Sequence, residues 1–415
     1  MAPRTQVAAS AITAPFATVR SVGRRDTDNR LIHADNLRAL SWLRGEFEGR
    51  FRCVYVDPPF NTGRTFAEYD DARTPLEWRE FMKPRLQAIL PLMADDGVLF
   101  FEIDDSELGP AITLCDEVFG RSARVSIITV VRSAATGHKA SNRGPVNVSD
   151  FILVYEKTKG SWRPFAQKVL RRGYDRAYRS FLVNPGARHD AWRFESLATA
   201  AARDAGFATP LAARRALGAG TFERTSVAFA LAHKDQVVRF AQPRYEAVSR
   251  AAQIAIDVSR RKRGRVLRLS RPGHADLLLF NGNRVLFLGK KVIETASGPQ
   301  LVEPLTNVWD DVPFQGIAKE GGVVFPRNKK PERLIERVLS LSTSAGDWVL
   351  DPFVGSGTTA AVAEKMGRRW IGIDDGEVLK SLAIPRLTRV VSGEDLAGVT
   401  RGHGYAGGGG FAVFA

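Results

Sequence analysis

The most informative stretch of the chain is Trp348-Val349-Leu350-Asp351-Pro352-Phe353-Val354-Gly355-Ser356-Gly357-Thr358-Thr359. An apolar run ends on an acid, a Gly-x-Gly turn follows, and residues 358–366 have helical spacing. Gly355 and Gly357 allow a tight turn and let the backbone approach a ligand without a Cβ. A helix N-terminus there, capped by Thr358 or Thr359, offers free N–H groups to a carboxylate. The next apolar run, residues 370–373, ends in Asp374, where an acid can accept both hydroxyls of a ribose. Asp375 beside it leaves that assignment open by one position. No Gly-Lys-Ser/Thr follows the loop, so it is not a P-loop. A Gly-x-Gly alone is equally a plain strand-to-helix turn. Strand, glycine loop, helix, strand and acid together predict a nucleoside-containing cofactor at the carboxyl edge of a parallel sheet.

Working outward, strand-like and helix-like pieces alternate on both sides of the middle of the chain. Residues 51–56 are a short β-rich run stopped by Pro58 and Pro59. Residues 75–93 carry a helical apolar stripe, Leu76, Phe81, Leu86, Ile89 and Leu90. Residues 97–103, 125–131 and 151–155 read as strands, and 105–119 as a helix. After 304 the pattern resumes with a helix over 331–341. This alternation predicts a mostly parallel sheet covered on both faces. Residues 1–30 read as a loose arm, and the tail past Arg401, with its four-glycine run, as flexible.

Between these halves the texture changes. Residues 161–300 hold 26 Lys and Arg against 10 Asp and Glu, and the other 275 residues hold 34 against 35. The whole basic excess therefore lies in one module, which points to a polyanion or to a merely solvated basic surface. Asn281-Gly282-Asn283 between two apolar runs predicts a hairpin, and the alanine-rich residues 197–219 predict helices, so the module is α+β. No apolar run is long enough to span a bilayer. The two cysteines, Cys53 and Cys115, show no metal spacing and no disulfide framework, which fits a reducing cytoplasm.

The second telling stretch is Asp57-Pro58-Pro59-Phe60, at the end of Val54-Tyr55-Val56. The exocyclic amine of a nucleobase is a poor nucleophile because its lone pair is delocalised into the ring. Two acceptors on its N–H bonds favour a pyramidal nitrogen. An ionised Asp57 accepts only, and the Pro58 carbonyl is a second acceptor that two prolines hold rigidly. Asp57 also stabilises the transient positive charge left by alkylation. Phe60 offers a face on which a base rotated out of a duplex can stack. Without its context, Asp-Pro-Pro-Phe is equally a turn after a buried strand.

The context resembles one family. Thr62-Gly63-Arg64-Thr65-Phe66-Ala67-Glu68-Tyr69-Asp70-Asp71, Trp78, Asp96-Gly97, Ile103-Asp104-Asp105 and Asp116-Glu117-Val118-Phe119-Gly120 resemble site-specific DNA adenine methyltransferases, including the modification subunits of type III restriction systems. His33-Ala34-Asp35-Asn36-Leu37 resembles their short acidic motif, whose Asp meets the cofactor adenine. Phe325-Pro326-Arg327-Asn328-Lys329-Lys330-Pro331-Glu332-Arg333-Leu334-Ile335 resembles the segment before their glycine loop. The catalytic motif precedes the cofactor motif. The resemblance covers residues 31–157 and 304–390. Members more often carry tyrosine at the position of Phe60, which keeps the stacking face here and loses a hydroxyl.

The resemblance implies a Rossmann-like class I methyltransferase sheet and S-adenosylmethionine as cofactor. Residues 31–160 form the catalytic half, 161–303 an inserted target-recognition domain, 304–395 the cofactor half and 396–415 a tail. It places catalysis on Asp57, Pro58, Pro59 and Phe60. Cofactor contacts fall on Asp35, Asn36, Asp351, Phe353, Gly355, Ser356, Gly357, Thr358, Thr359 and Asp374, with no metal. Asp-Pro-Pro favours adenine N6 in double-stranded DNA, with cytosine N4 as the alternative. A DNA-binding modification subunit that needs a restriction partner is the other alternative, and relatives often form homodimers. In the middle module, residues 260–265, and Arg171 and Arg172 with Tyr174 and Tyr178, are candidate DNA contacts. The polar loop 136–143 is a candidate clasp for the target nucleotide. His33 and His138 read as structural.

Overall fold

The computed structural model describes residues 16–60, 64–65, 70–71, 74–133, 145–165, 168–171, 173–295, 298–323 and 329–415. Residues 61–63, 66–69, 136–143, 325–328 and Arg172, singled out above, lie outside the described residues. The chain divides into two compact units, Met1–Gln167 with Thr306–Ala415, and Lys168–Leu305.

In chain order the first unit contains β1 (Thr18–Gly23), β2 (Arg30–His33), α1 (Asn36–Phe47), β3 (Phe51–Val56) and the short ribbon β4 (Arg64–Thr65) and β5 (Asp70–Asp71). Then come α2 (Pro75–Leu92), β6 (Met93–Ile103), α3 (Leu108–Cys115), β7 (Arg124–Val131) and β8 (Ser149–Glu156). The second unit holds β9 (Lys168–Leu170), β10 (Ser180–Leu182), β11 (Phe194–Ser196), α4 (Leu197–Asp204), α5 (Pro210–Leu217), α6 (Ala219–Ala232) and β12 (Val237–Ala241). It continues with α7 (Arg250–Arg261), β13 (Val266–Arg271), β14 (His274–Phe280), β15 (Asn283–Phe287), β16 (Val292–Thr295) and β17 (Gly298–Pro304). The chain returns to the first unit with β18 (Val308–Trp309), α8 (Glu332–Ser342), β19 (Trp348–Asp351), α9 (Thr358–Lys365), β20 (Arg369–Asp374), α10 (Ile384–Ser392) and β21 (Gly410–Phe414).

The ten-stranded sheet runs β1-β21-β2-β20-β19-β3-β6-β8-β7-β18. The run from β21 to β6 is parallel throughout. β8 is inserted antiparallel between β6 and β7. This is the Rossmann-like methyltransferase sheet expected from the sequence. Its central strands are buried on both faces, as alternation along β3 shows. Val54 and Val56 join Leu40 and Leu43 of α1 and Trp78 and Leu86 of α2 in one apolar cluster, whereas Cys53 faces Ser342 of α8. α1 starts at Asp35, whose carboxylate accepts the Arg38 N–H at 3.0 Å. α2 starts with a Thr74–Glu77 capping box and Pro75 in its first turn.

Two expectations fail here. The arm is not loose throughout, because residues 18–23 form β1 and pair antiparallel with β21. Nor is the tail flexible, since β21 lies between β1 and β2 in the sheet. The glycine run reads as flexible by composition, but a Cβ on Gly409 would collide with the Glu364 carboxylate, and one on Gly410 with the Arg24 backbone. These glycines are there for close approach.

The second unit is α+β. Its six-stranded sheet runs β11-β10-β12-β15-β14-β13, and a three-stranded sheet runs β16-β17-β9. The predicted hairpin is present between β14 and β15, with positive φ at Asn281 and Gly282 as a two-residue turn of this type requires.

Candidate active site

Parallel pairing aligns the carboxyl ends of five strands. His33 of β2 stands opposite Asp374 of β20, Asp351 of β19 opposite Gly372, Leu350 opposite Val54 of β3, and Val56 opposite Phe101 of β6. The two motif loops therefore leave adjacent strands, β3 and β19, at the same edge.

The glycine loop is held by the acids around it. Asp351 accepts the Phe353 N–H at 2.9 Å and is bonded by the Thr359 hydroxyl. Burial pushes its carboxyl up to about 7, against those two bonds. Asp374 accepts the Gly355 N–H at 3.0 Å and the Gly376 N–H at 2.9 Å, which fixes the loop against the end of β20. Burial raises Asp374 as well. The residue capping α9 is Gly357 in the left-handed conformation, φ 79°, and neither Thr358 nor Thr359 caps it. Both threonines are turned inward instead, Thr358 accepting a hydrogen bond from Arg386 at 2.6 Å and Thr359 bonding Asp351. Ser356 is buried beside Thr358, with the hydroxyls 3.4 Å apart.

A second group joins this loop from the N-terminal segment. The Asn36 amide donates to the Pro352 carbonyl at 2.9 Å, and Arg85 of α2 bonds the Asn36 side-chain oxygen and the Asp35 carboxylate, the latter at 2.7 Å. The Arg85 guanidinium lies 3.6 Å from the centroid of the Phe81 ring, which packs against Phe353 at 6.2 Å. Asp35, Asn36, Phe353 and the loop thus form one connected patch, although Arg85, which ties it together, had no signal in the sequence.

The Asp57–Phe60 turn is clamped at several points. The Trp78 indole N–H donates to the Pro59 carbonyl at 3.0 Å. Lys330, just before α8, places its ammonium 2.9 Å from Asp57 Oδ1, 2.8 Å from Glu102 Oε1 and 4.6 Å from the centroid of the Phe60 ring. The Tyr55 hydroxyl bonds the other Glu102 oxygen. Burial pushes the Asp57 carboxyl up to about 7; Lys330 opposes this, and Glu102 and Asp351 add to it. Asp150 of β8, paired with Arg132 at 3.1 Å, is pushed up to about 6 by burial. Lys330 lies in the segment singled out by resemblance, but its partners are 228 and 273 positions away, beyond any local pattern.

His33 bonds the Asp375 carbonyl at 3.2 Å. The Tyr174 hydroxyl donates to the Tyr178 carbonyl, and Arg171 pairs with Glu303 at 2.8 Å. Among the described residues no group of three His, Cys, Asp or Glu is placed to hold a metal, and no helix is long and apolar enough to cross a membrane. In the second unit an open cavity of about 650 Å³ is lined by Trp192, Phe194, Phe240 and Phe280, with exposed Arg179 and Arg193 at its rim.

The chain is 28% identical to the "Probable type III restriction-modification enzyme HindVI Mod subunit" of Haemophilus influenzae, over 92% of this chain and 53% of that protein. It is 25% identical to the type II methyltransferase M.EcaI of Enterobacter cloacae, over 86% of this chain and 70% of that one. A shorter match, 54% identical, aligns 14% of this chain with 22% of the type II methyltransferase M2.DpnII of Streptococcus pneumoniae. The chain spans about half the length of the Haemophilus relative. The N6/N4 DNA methylase family model matches residues 51–216 and 258–384, more than half of the sequence, and the chain belongs to that DNA methylase family.

Proposed function

We propose that the protein transfers a methyl group from S-adenosylmethionine to adenine N6 in double-stranded DNA. The observation that carries this reading is the Asp57 carboxylate, held at the carboxyl edge one strand away from a glycine loop built for a nucleoside cofactor. Family membership supports the reaction class.

The residues present fit S-adenosylmethionine. A Cβ built on Gly355 meets only the Phe353 carbonyl, at 3.9 Å, so the loop opens onto space on that side, and φ 47° suits glycine. Asp374 would take the ribose, Asp35 and Asn36 the adenine side, and the α9 N-terminus with Ser356 and Gly357 the carboxylate end. When bound, the cofactor supplies an electrophilic methyl group. Asp57, ionised, accepts one N–H of the target amine, and the Pro58 carbonyl accepts the other, freeing the nitrogen lone pair. As the nitrogen becomes cationic, the Asp57 charge stabilises it. Phe60 stacks on the everted base. The amine then loses a proton to solvent, so no dedicated base is needed.

The second unit is the proposed target-recognition domain. Residues 168–305 carry 25 Lys and Arg against 11 Asp and Glu, which supports a phosphate-binding surface. The names of the Mod relatives support a modification subunit that works beside a restriction subunit, and a second copy of this chain is a further partner to test. The deciding experiment is methyl transfer from labelled S-adenosylmethionine to unmethylated plasmid, with nucleoside analysis of the product. N6-methyladenine is expected, with activity at least about 100-fold lower in Asp57→Ala. N4-methylcytosine would overturn the base assignment, and full activity in Asp57→Ala would overturn the acceptor role.

A further inference from the structure

One buried cation faces several acids at the catalytic turn. Lys330 reaches the turn from the segment before α8 and bonds Asp57 at the end of β3 and Glu102 on β6. Asp150 on β8, Asp104 just after β6 and Asp351 on β19 add further negative charge around the same space, offset by Arg132 after β7. Tyr55 on β3 gives its hydroxyl to Glu102 and supplies no counter-charge. Lys330 also lies over the Phe60 ring, so it touches both the first and the last side chain of Asp57-Pro58-Pro59-Phe60. Glu102 is fully buried and Lys330 nearly so. Removing one partner from such a set leaves an uncompensated buried charge.

We propose that Lys330 is a positioning residue for Asp57: its ammonium pins the carboxylate within the Asp57–Phe60 turn and keeps it an acceptor among buried acids. Lys330 does not touch the reacting atoms. It acts through Asp57, and the proposal rests on the reading of Asp57 as the amine acceptor. Burial disfavours the Lys330 ammonium, but Asp57, Glu102 and Asp150 outweigh that and hold it protonated well above the usual lysine range. It is therefore a fixed charge wherever the enzyme works.

The test is the pH dependence of methyl transfer by the full chain, for the wild type and for Lys330→Met, Lys330→Arg and Glu102→Gln. Asp57 must be ionised and its carboxyl is pushed up to about 7. Wild-type activity is thus full above that value and falls as the pH drops through it. In Lys330→Met the acid limb moves up by about one unit or more, so that activity at neutral pH drops about tenfold and recovers at alkaline pH. In Glu102→Gln the limb moves the opposite way, toward lower pH. Lys330→Arg, which keeps the charge, leaves the limb within about half a unit. A loss in Lys330→Met that is equal at every pH marks a merely structural lysine and overturns the proposal, as does unchanged activity. If Lys330→Met does not fold, Glu102→Gln decides, because a limb that stays put or rises overturns it. Carbon-13 NMR titration of Asp57, assigned by its loss in Asp57→Asn, reads the same shifts without turnover. A wild type that transfers no methyl group would therefore sink the proposed function, while the titration would still decide the role of Lys330.

Discussion

At the scale of single residues, Arg85 is the sharpest case of a patch held together by a side chain no motif marks. Its guanidinium joins Asp35 and Asn36, and Asn36 in turn holds the Pro352 carbonyl of the glycine loop. Charge-assisted bonds of this kind contribute about 1.5–3 kcal/mol each. Arg85→Met is therefore expected to weaken S-adenosylmethionine binding about tenfold or more while leaving the rate at saturating cofactor nearly unchanged, read by calorimetry and steady-state kinetics. Affinity within twofold of wild type would remove Asp35 and Asn36 from the cofactor site. Asp57, the glycines and Asp374 were legible in the sequence because each sits at a strand end in a short pattern. Lys330, Glu102 and Arg85 were not, because their roles come from partners that only the closed sheet brings near.

Elements show the same division. The strands and helices on both sides of the glycine loop follow from their apolar spacing, and so does α2, although Leu76 of its expected stripe is exposed and Trp78 and Met82 are buried in its place. The end of the chain does not, because a run of glycines carries the same composition whether it frays or packs tightly. The capping of α9 was also misread, since a glycine at φ 79° leaves both threonines free to point inward. The two loop glycines have separable tasks. Both glycines sit at positive φ, which disfavours alanine; at Gly357 a Cβ would also sit 3.4 Å from Ala383, whereas at Gly355 it would meet only the Phe353 carbonyl at 3.9 Å. Gly357→Ala is expected to lower stability by about 1–2 kcal/mol in urea unfolding. Gly355→Ala carries the same backbone cost and is expected to reduce cofactor affinity more than Gly357→Ala does. Equal effects of the two on cofactor binding would contradict this division.

For the whole molecule, charge is the property that separates the units. With the basic excess confined to the second unit, DNA affinity is expected to fall steeply with salt, through counterion release. Replacing the exposed Arg263 and Arg265 by alanine should make the slope of log K against log salt shallower by about 1–2, as measured by fluorescence anisotropy at several salt concentrations. An unchanged slope would place the phosphate contacts elsewhere. This charge segregation was plain from counting residues, whereas the aromatic lining beside Arg179 and Arg193 was not. Phe194, Phe240 and Phe280 come from three separate strands, and the sheet sets the Phe240 and Phe280 ring centroids 5.0 Å apart.

The strand order has a consequence for how the protein is made. β2 is flanked in the sheet by β20 and β21, which are synthesised more than 300 residues later. β3 likewise waits on one side for β19. At about 5–20 residues per second, translation leaves these edges without neighbours for tens of seconds. During that interval the nascent first half exposes apolar strands with open hydrogen-bonding edges, a template for pairing with other chains. Shielding of the nascent chain during that interval protects yield, and slower translation of the stretch from β19 to β21 prolongs the vulnerable state.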